Sequence, residues 1–382
     1  MNNDTLCVLK FGGSSFANPE AYHVVARHLA ERVALGERVC VVVSAMSGTT
    51  GRLSELLHSV VPCPEPQDVD AILGTGEILA SALVSAVLRT YQVQAISLNA
   101  FQLGWRASAN FTEGKLTDIP DAVITDALKR TPVVVISGGQ AITDDNRLIM
   151  LGRNSSDLTT IAVAVAMRCP TVTIYSDVEG VFTADPYRLE NTSLITRLGY
   201  QHAKAYSQWG AKVLHSGCIE FAEQHQVRIQ CASLTADGRT CFGTEIAQDG
   251  HGVQVCLPDN VVVCRVAPNA SERIAACACV VELFPVVDRA DYFVARLDRN
   301  YQELAAAGVM LSMDELTPVA FFSLDGALHL HAVPKAERLA HAQEIHDRLV
   351  KDTSFTKIHR QLQKPRGSHS GVYGNLSQET SA

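Results

Sequence analysis

Short apolar runs alternate with longer helical patterns along the first half of the chain. The runs predict buried strands at residues 6–9, 38–43, 93–98, 132–136 and 170–175. A continuous run such as 38–43 is typical of a parallel strand that is covered on both faces. Apolar residues at helical spacing predict helices over 19–35 and 68–90, and an alanine-rich helix that ends near residue 167.

The last third of the chain has a weaker pattern. It predicts strands at 261–266, 319–322 and 327–332, and an amphipathic helix from 334 to about 350 with one apolar face made of Leu339, Ala342, Ile345 and Leu349. Proline, glycine and polar residues are frequent over 235–252 and mark a domain boundary. Because 382 residues exceed the roughly 250–300 at which one core stops growing, we expect at least two domains. From Lys364 onward the polar sequence predicts a disordered tail.

The composition is that of an ordinary soluble globular protein. Hydrophobic residues make up 47% and charged residues 19%, and no uninterrupted apolar run reaches about 18 residues. We therefore expect a cytoplasmic protein without a membrane span. A net charge of −8 argues against general binding to nucleic acid or membrane surfaces. The 11 cysteines are scattered and form no CxxC pair, which favours buried free thiols over a metal site or disulfides.

The first candidate site follows the first predicted strand, which runs into Lys10, Phe11, Gly12 and Gly13 and then into two serines. A lysine and a glycine pair that exposes backbone N–H groups have the chemistry of a phosphate cradle. The order differs from a Walker loop, in which the lysine follows the glycines. A glycine turn with a chance lysine is the alternative interpretation.

Other polar groups follow later strands or begin helices. Ser44 to Thr50 come directly after the strand at 38–43, where open α/β sheets bind ligands. Glu77 follows a Gly-x-Gly sequence, and taken alone it is more often a solvated glutamate in a first helical turn. Arg153 precedes a helix that Ser155 or Ser156 can cap, which could equally be a capped helix beside a chance arginine. A turn with two acids, from Ser176-Asp177 to Asp185-Pro186, follows the strand at 170–175.

Together these motifs resemble the amino-acid kinase family, and within it the aspartate kinases. The match covers about residues 6–246 and includes five separated motifs in the expected order. They are Lys10-Phe-Gly-Gly-Ser-Ser15, Val43-Ser-Ala-Met46, Gly76-Glu77, Leu151-Gly-Arg153 with Asp157, and Ser176-Asp177 through Asp185-Pro186 joined to Gly210-Ala-Lys-Val-Leu-His215. The resemblance implies an α/β fold: an open, mainly parallel sheet between helices, with ATP bound toward the second half and the amino acid toward the first. A smaller α+β domain, a degenerate version of the ACT-type regulatory module, is expected to follow.

The resemblance also implies a role for each matching residue. Catalytic roles fall on Lys10, Asp157 and Lys212. ATP contacts fall on Lys10, Phe11, Gly12, Gly13, Ser176, Asp177, Phe182, Lys212 and Val213. Amino-acid contacts fall on Ser44, Thr50, Glu77, Arg153 and Ser156. ATP would act with Mg²⁺, for which no side-chain ligand is assigned.

The implied reaction is phosphorylation of the side-chain carboxylate of L-aspartate, giving L-4-aspartyl phosphate and ADP. The acceptor needs no general base, because a carboxyl group with a pKa of about 4 is already ionised at pH 7. The site must instead align two anions and neutralise charge on the transferred group. This step begins the route to lysine, threonine and methionine, or to a related specialised metabolite. We expect a homodimer or higher homo-oligomer, without nucleic acid or membrane partners.

Departures from the family pattern keep other interpretations open. Ser14 replaces a usual threonine, Asn154-Ser155 replaces a usual glycine pair, and Tyr187 with Arg188 replaces a usual arginine after Asp185-Pro186. Gln230 to Leu234 also differ from the usual segment, which affects the adenine side. A kinase of the same family acting on another amino acid or carboxylate, and a non-catalytic nucleotide-binding protein, are the alternatives.

The expected domains are a kinase domain over 1–250, an ACT-like or degenerate regulatory and dimerisation domain over 251–360, and a disordered tail over 361–382. The glycine-containing ligand loops of ACT modules are not apparent, which favours weakened or absent feedback control. A divergent but working regulatory domain is the alternative.

Overall fold

The computed structural model describes residues 5–152, 155–211, 214–259, 261–266, 280–286, 289–297, 310–312 and 315–351. The strands of the first 250 residues are β1 (Leu6–Phe11), β2 (Arg38–Val43), β3 (Ala95–Leu98), β4 (Arg106–Ala107), β5 (Leu116–Asp118), β6 (Val133–Ser137), β7 (Gln140–Ile142), β8 (Leu148–Met150), β9 (Thr171–Ser176), β10 (Arg197–Gly199), β11 (Arg228–Leu234) and β12 (Thr240–Ala247). The helices are α1 (Pro19–Ala34), α2 (Thr49–Val60), α3 (Pro66–Thr90), α4 (Ala100–Leu103), α5 (Ala122–Arg130), α6 (Ser155–Ala166), α7 (Tyr200–Gln208) and α8 (Ser216–Gln224).

Eight of these strands form one sheet in the order β10-β12-β11-β9-β1-β2-β6-β3. All neighbouring pairs are parallel except β11 and β12. A smaller four-stranded sheet, in the order β5-β4-β7-β8, is formed by strands between residues 106 and 150. The predicted mainly parallel sheet is therefore confirmed. Strand β12 (Thr240–Ala247) belongs to it and lies within the predicted boundary segment 235–252, and the domain limits stay a prediction.

The central strands are apolar on both faces because helices cover both. Val8, Cys40 and Val42 pack with α6 and α8 on one face. Leu9 and Val41, which alternate with them, pack with α1 and α3 on the other. This two-sided burial explains why the strands read as continuous apolar runs.

Helix α3 is long and apolar enough to cross a membrane by length and composition alone. In the fold it packs against the sheet through Ala80, Val84 and Leu88. It also buries the carboxyl groups of Asp70 and Glu77 inside the protein. Helix α3 is thus one of the layers that cover the sheet.

The carboxyl ends of four neighbouring strands meet at one edge of the sheet. Phe11 at the end of β1 is in register with Val43 of β2 and with Tyr175 of β9, and Val43 is in register with Ser137 of β6. The loops that leave these strands therefore begin side by side, as expected for a ligand site in an open α/β sheet.

The C-terminal region has separate sheets. The strands are β13 (Gln254–Cys256), β14 (Val261–Val266), β15 (Val280–Val286), β16 (Arg289–Leu297), β17 (Met310–Ser312), β18 (Leu316–Phe322) and β19 (Leu328–Pro334), and one helix, α9 (Arg338–Lys351), follows them. They form two sheets, ordered β15-β16-β14-β17 and β13-β18-β19.

The first of these sheets has the strand order of a β-α-β-β-α-β module. The segments that connect β14 to β15 and β16 to β17, and the predicted tail, lie outside the described residues, so the ACT-like assignment stays a prediction. Helix α9 buries Ala342 and Ile345 as predicted. Leu339 was predicted on the same face, but it is the second residue of the helix and is 49% exposed.

Candidate active site

Lys10 and Asp157 form an ion pair at the edge of the sheet. Lys10 Nζ lies 2.6 Å from Asp157 Oδ1, and the two side chains are only 12% and 7% exposed. Lys10 shares the face of β1 that Val8 turns toward α6. Asp157 lies in the first turn of α6, where the helix dipole stabilises a carboxylate. The carboxylate thus fixes the direction of the lysine ammonium group.

The two glycines after Lys10 provide space that a side chain would fill. A Cβ at Gly12 would lie 3.0 Å from Lys10 Nζ, and a Cβ at Gly13 would lie 3.0 Å from the carbonyl oxygen of Ala45. Both distances are tighter than ordinary van der Waals contact. The absent side chains let an anion approach the backbone and the lysine closely, which fits a phosphate cradle.

A cleft of about 500 Å³ opens beside the ion pair, and we call it the Lys10 cleft. Its walls include the predicted residues Lys10, Gly13, Ser44, Thr50, Glu77, Ser156 and Asp157. The Ser44 hydroxyl donates to Ser156 Oγ over 2.9 Å, which joins the end of β2 to the start of α6. The structure therefore brings together predicted residues from four segments of the chain.

Neither serine at the start of α6 acts as the predicted cap. Both are already helical residues. The Ser155 hydroxyl donates to the carbonyl oxygen of Gly152 over 2.6 Å, and Ser156 Oγ accepts from Ser44.

Glu77 lies inside α3 and not in a first turn. The glycines before it allow α3 to pack closely, since a Cβ at Gly74 would lie 2.3 Å from a methyl carbon of Leu148 and one at Gly76 would lie 3.1 Å from Ala45 Cβ. Glu77 is 8% exposed, and its Oε1 accepts from the Ala45 backbone N–H over 3.3 Å. Its Oε2 is buried without a hydrogen-bond partner among the described residues. Burial raises the pKa of Glu77 to about 7, which the bond from Ala45 only partly offsets.

Asp70 is a second buried carboxylate of the cleft, and no pattern in the sequence indicated it. It lies two helical turns before Glu77 and is 1% exposed. Its Oδ2 accepts from the backbone N–H groups of Thr112 (2.8 Å) and Met150 (3.0 Å). Its Oδ1 has no hydrogen-bond partner within the described part of the chain, and burial raises the pKa of the group. Asp70 thus joins α3, the 108–115 loop and the end of β8 around the cleft.

A second cavity of about 210 Å³ lies at the end of β9, and we call it the Asp177 pocket. The predicted residues Ser176, Asp177 and Phe182 line it, together with Gly210 and Ala211. The opposite wall is formed by Gln254 to Leu257 and by Asp259, which come from β13 and the residues after it. The C-terminal region therefore contributes to a pocket that the sequence assigned to the kinase-like region alone.

Arg188 lines the Asp177 pocket although it lies one position after the arginine expected from the family pattern. Its Nη1 lies 3.7 Å from Asp259 Oδ2, and Arg338 of α9 binds the other carboxylate oxygen of Asp259 over 2.9 Å. Tyr187, which occupies the expected position, is 72% exposed and also borders the pocket.

The structure limits what can be said of the remaining predicted ligand-binding residues. The Phe11 side chain is fully buried and stacks on Tyr175 at 4.5 Å between ring centroids, so only its backbone could reach a ligand. Arg153, Lys212 and Val213 lie outside the described residues. Within the described ranges, no group of three His, Cys, Asp or Glu side chains could hold a metal ion.

Residues 5–233 match the model of the amino acid kinase family. The chain belongs to this family. Among curated relatives, this amino acid kinase is 35% identical over 233 residues to the aspartokinase of Mycolicibacterium smegmatis, which covers 61% of this chain and 55% of that protein. It is 34% identical over 262 residues to aspartokinase 2 of Bacillus subtilis, which covers 69% of this chain and 62% of that protein. The matched region thus spans little more than half the length of these relatives.

Solved structures share the fold of this amino acid kinase over most of its length. E. coli aspartokinase III in complex with aspartate and ADP aligns with a TM-score of 0.69 at 18% identity, covering 91% of this chain and 100% of that one. Clostridium acetobutylicum aspartate kinase aligns with a TM-score of 0.65 at 13% identity, covering 90% and 100%. At these identities the likeness concerns the fold, and it confirms the predicted α/β architecture.

Proposed function

We propose that this amino acid kinase is an aspartate kinase, which transfers the γ-phosphoryl group of ATP to the side-chain carboxylate of L-aspartate. The observation that carries the proposal is the Lys10–Asp157 ion pair, which stands over a glycine cradle and beside a cleft with a buried, unpartnered Glu77 oxygen. The curated relatives from Mycolicibacterium smegmatis, Bacillus subtilis and Helicobacter pylori are named aspartokinases, which supports the choice of acceptor. The products would be L-4-aspartyl phosphate and ADP, at the start of the biosynthesis of aspartate-derived amino acids.

In this proposal the Lys10 cleft binds the amino acid and the Asp177 pocket binds the nucleoside. Glu77 supplies the opposite charge for the α-ammonium group, Ser44, Thr50 and Ser156 supply polar contacts, and Arg153 binds a carboxylate as a planar fork. Lys10, with Gly12 and Gly13, neutralises charge that develops on the transferred phosphoryl group. Asp157 orients Lys10 and Lys212, and Val213 adds to the nucleotide contacts.

The carboxylates present fit a magnesium ion that is held mainly by phosphate and water. Mg²⁺ in such sites takes one or two carboxylates together with substrate phosphates, and Asp177 lines the pocket that the proposal assigns to the nucleoside. The ion would reduce repulsion between the two anionic substrates.

The expected surroundings of the reaction also belong to the proposal. We infer a kinase domain over 1–250 and a regulatory and dimerisation domain over 251–360, in a cytoplasmic homo-oligomer that binds neither nucleic acid nor membranes. Weak or absent control by lysine and threonine would follow if the C-terminal module is degenerate.

The test is ADP release with hydroxylamine trapping of the acyl phosphate. The chain is incubated with Mg-ATP and separately with L-aspartate, L-glutamate, N-acetylglutamate or carbamate, each with and without lysine and threonine. Hydroxamate formed with aspartate alone supports the proposal. Product formed with another acceptor would identify that acceptor, and not aspartate, as the substrate. Nucleotide binding without product from any acceptor would favour a non-catalytic protein.

A further inference from the structure

The C-terminal helix α9 packs against the loop that forms one wall of the Asp177 pocket. This loop, residues 177–196, connects β9 to β10 and contains no strand or helix of its own. Ala184 and Leu189 of the loop pack in one apolar cluster with Ala342 and Ile345 of α9. The loop is held by hydrogen bonds within itself, such as that from the Ile195 N–H to the Val181 carbonyl oxygen, and by this packing against α9.

Gln343 of α9 makes two hydrogen bonds to the backbone of the loop. Its Oε1 accepts from the Glu190 N–H over 2.8 Å, and its Nε2 donates to the Glu190 carbonyl oxygen over 3.2 Å. Nε2 also donates to Asp347 Oδ1 over 2.9 Å, which holds the side chain in place from within α9. A side-chain amide that satisfies both polar groups of one backbone residue fixes that residue as a neighbouring strand would.

His346, one turn further along α9, bonds to the same loop on its buried side. Its Nε2 lies 2.8 Å from Thr183 Oγ1, and both side chains are almost fully buried. Thr183 also receives the Ser193 N–H at its hydroxyl and donates its own N–H to the Ser193 carbonyl oxygen. Its neighbours Phe182 and Ala184 line the Asp177 pocket. A contact made behind the loop therefore fixes the residues that face the pocket.

We propose that Gln343 and His346 are positioning residues for the nucleotide, which hold the 177–196 loop in the conformation that binds it. The inference rests on the proposed function, since it takes the Asp177 pocket as the nucleotide site. According to this inference, the C-terminal region raises the affinity for the nucleotide even when no effector is bound. Neither residue contacts the Lys10 cleft, so amino-acid binding and the chemical step should not depend on them.

The experiment compares the full-length wild type with Gln343→Met and with the control Glu344→Met. Both changes introduce the same good helix former, but Glu344 is exposed on α9. Calorimetric titration with MgADP gives the nucleotide Kd, and steady-state assays give KM for ATP and for aspartate. Since a hydrogen bond contributes about 0.5–1.5 kcal/mol net, we expect Gln343→Met to raise Kd and KM for ATP by about threefold to tenfold. KM for aspartate, kcat and all constants of Glu344→Met should stay at wild-type values.

A second pair of variants tests the buried contact. His346→Leu removes the bond to Thr183 and should raise the nucleotide Kd, whereas His346→Gln, which keeps a polar group of similar reach, should restore it in part. Wild-type nucleotide affinity in both Gln343→Met and His346→Leu would overturn the inference and leave the proposed function intact. Equal increases in both KM values would also overturn it, because general destabilisation has that effect. If the wild type bound MgADP but phosphorylated no aspartate, the proposed function would fail while the Kd comparison still decided this inference.

Discussion

Replacing Glu77 by glutamine should stabilise the protein and weaken its binding of aspartate at the same time. The carboxyl group is buried, its Oε2 has no hydrogen-bond partner among the described residues, and its pKa is raised to about 7. Glutamine has nearly the same shape, and its oxygen can still accept from the Ala45 N–H. The substitution therefore removes the charge and leaves the packing in place.

The magnitude follows from the pKa of Glu77 in the folded protein. A rise from 4.5 to about 7 means that ionising Glu77 in the folded state costs about 3 kcal/mol more than in the unfolded chain. The folded state holds the proton on Glu77 more tightly than the unfolded chain does. The loss of stability caused by ionisation is therefore absent below about pH 4.5, grows between about pH 4.5 and pH 7, and is complete above about pH 7. Glu77→Gln should thus raise the free energy of unfolding by up to about 3 kcal/mol at pH 8 and by less than about 1 kcal/mol at pH 5.

Urea denaturation at pH 5 and pH 8 measures this difference. The two tryptophans, Trp105 and Trp209, are buried in the α/β unit, so their fluorescence follows the unfolding of that unit. Glu55→Gln makes the same chemical change on the exposed surface of α2 and should leave stability unchanged at both pH values. A variant at Glu77 that gains no more stability at pH 8 than at pH 5 would refute the assigned burial cost.

The same variant tests the role of the charge in binding. In the wild type, kcat/KM for aspartate should fall about tenfold per pH unit below about pH 7, because protonated Glu77 cannot attract an ammonium group. In Glu77→Gln this dependence should disappear, and kcat/KM at pH 8 should be lower by about 10- to 100-fold, the worth of a hydrogen bond to a charged group. An unchanged KM for aspartate would contradict the proposed contact.

Three further substitutions probe the site. Lys10→Ala should lower kcat by about 10²- to 10³-fold in a folded protein, because it removes positive charge from the transferred phosphoryl group, and near wild-type turnover would sink the mechanism. Asp70→Asn should raise KM for aspartate several-fold with little change in KM for ATP. The exposed control Asp68→Asn should change neither constant. The same KM for aspartate in the two variants would exclude a role of Asp70 in the Lys10 cleft. Gly12→Ala should reduce kcat/KM at least tenfold, since the added Cβ would contact the Lys10 ammonium group. In the control Gly51→Ala the added Cβ has no neighbour within 4 Å, so kcat/KM should not change. Equal kcat/KM values in the two variants would argue against a phosphate cradle at Gly12.

The sequence predicted those elements of the fold that leave a pattern of apolar residues, or a motif, within one short segment of the chain. The strand at 38–43 was predicted with its observed bounds, because burial on both faces leaves an uninterrupted apolar run. Helix α2 was missed because it begins with Thr49-Thr50-Gly51, which contains a residue that disfavours helices, and because Leu56 and Val60 on it are exposed. Lys10 was found because its chemistry adjoins the glycine pair in the chain.

Asp70 and Gln343 could not be found in this way. Asp70 acts through the backbone of Thr112 and Met150, and Gln343 through the backbone of Glu190, all far away in the chain. A backbone N–H group is the same at every residue except proline, so the partner leaves no trace in the sequence. Such contacts become visible only when the fold has brought the segments together.

The two buried carboxylates of α3 bear on which ligand the proposed function would place in the Lys10 cleft. Asp70 and Glu77 lie seven residues apart, about 10 Å along the helix, and each has a buried oxygen without a hydrogen-bond partner in the described part of the chain. Burying an unpaired charge lowers stability, so selection for stability alone would favour the amide at both positions. A ligand that brings a cationic group into the cleft reverses this preference, because it gives the carboxylate charge a partner. An amino acid with a free α-ammonium group fits that requirement, whereas an N-acylated acceptor would leave the charge on Glu77 unpaired.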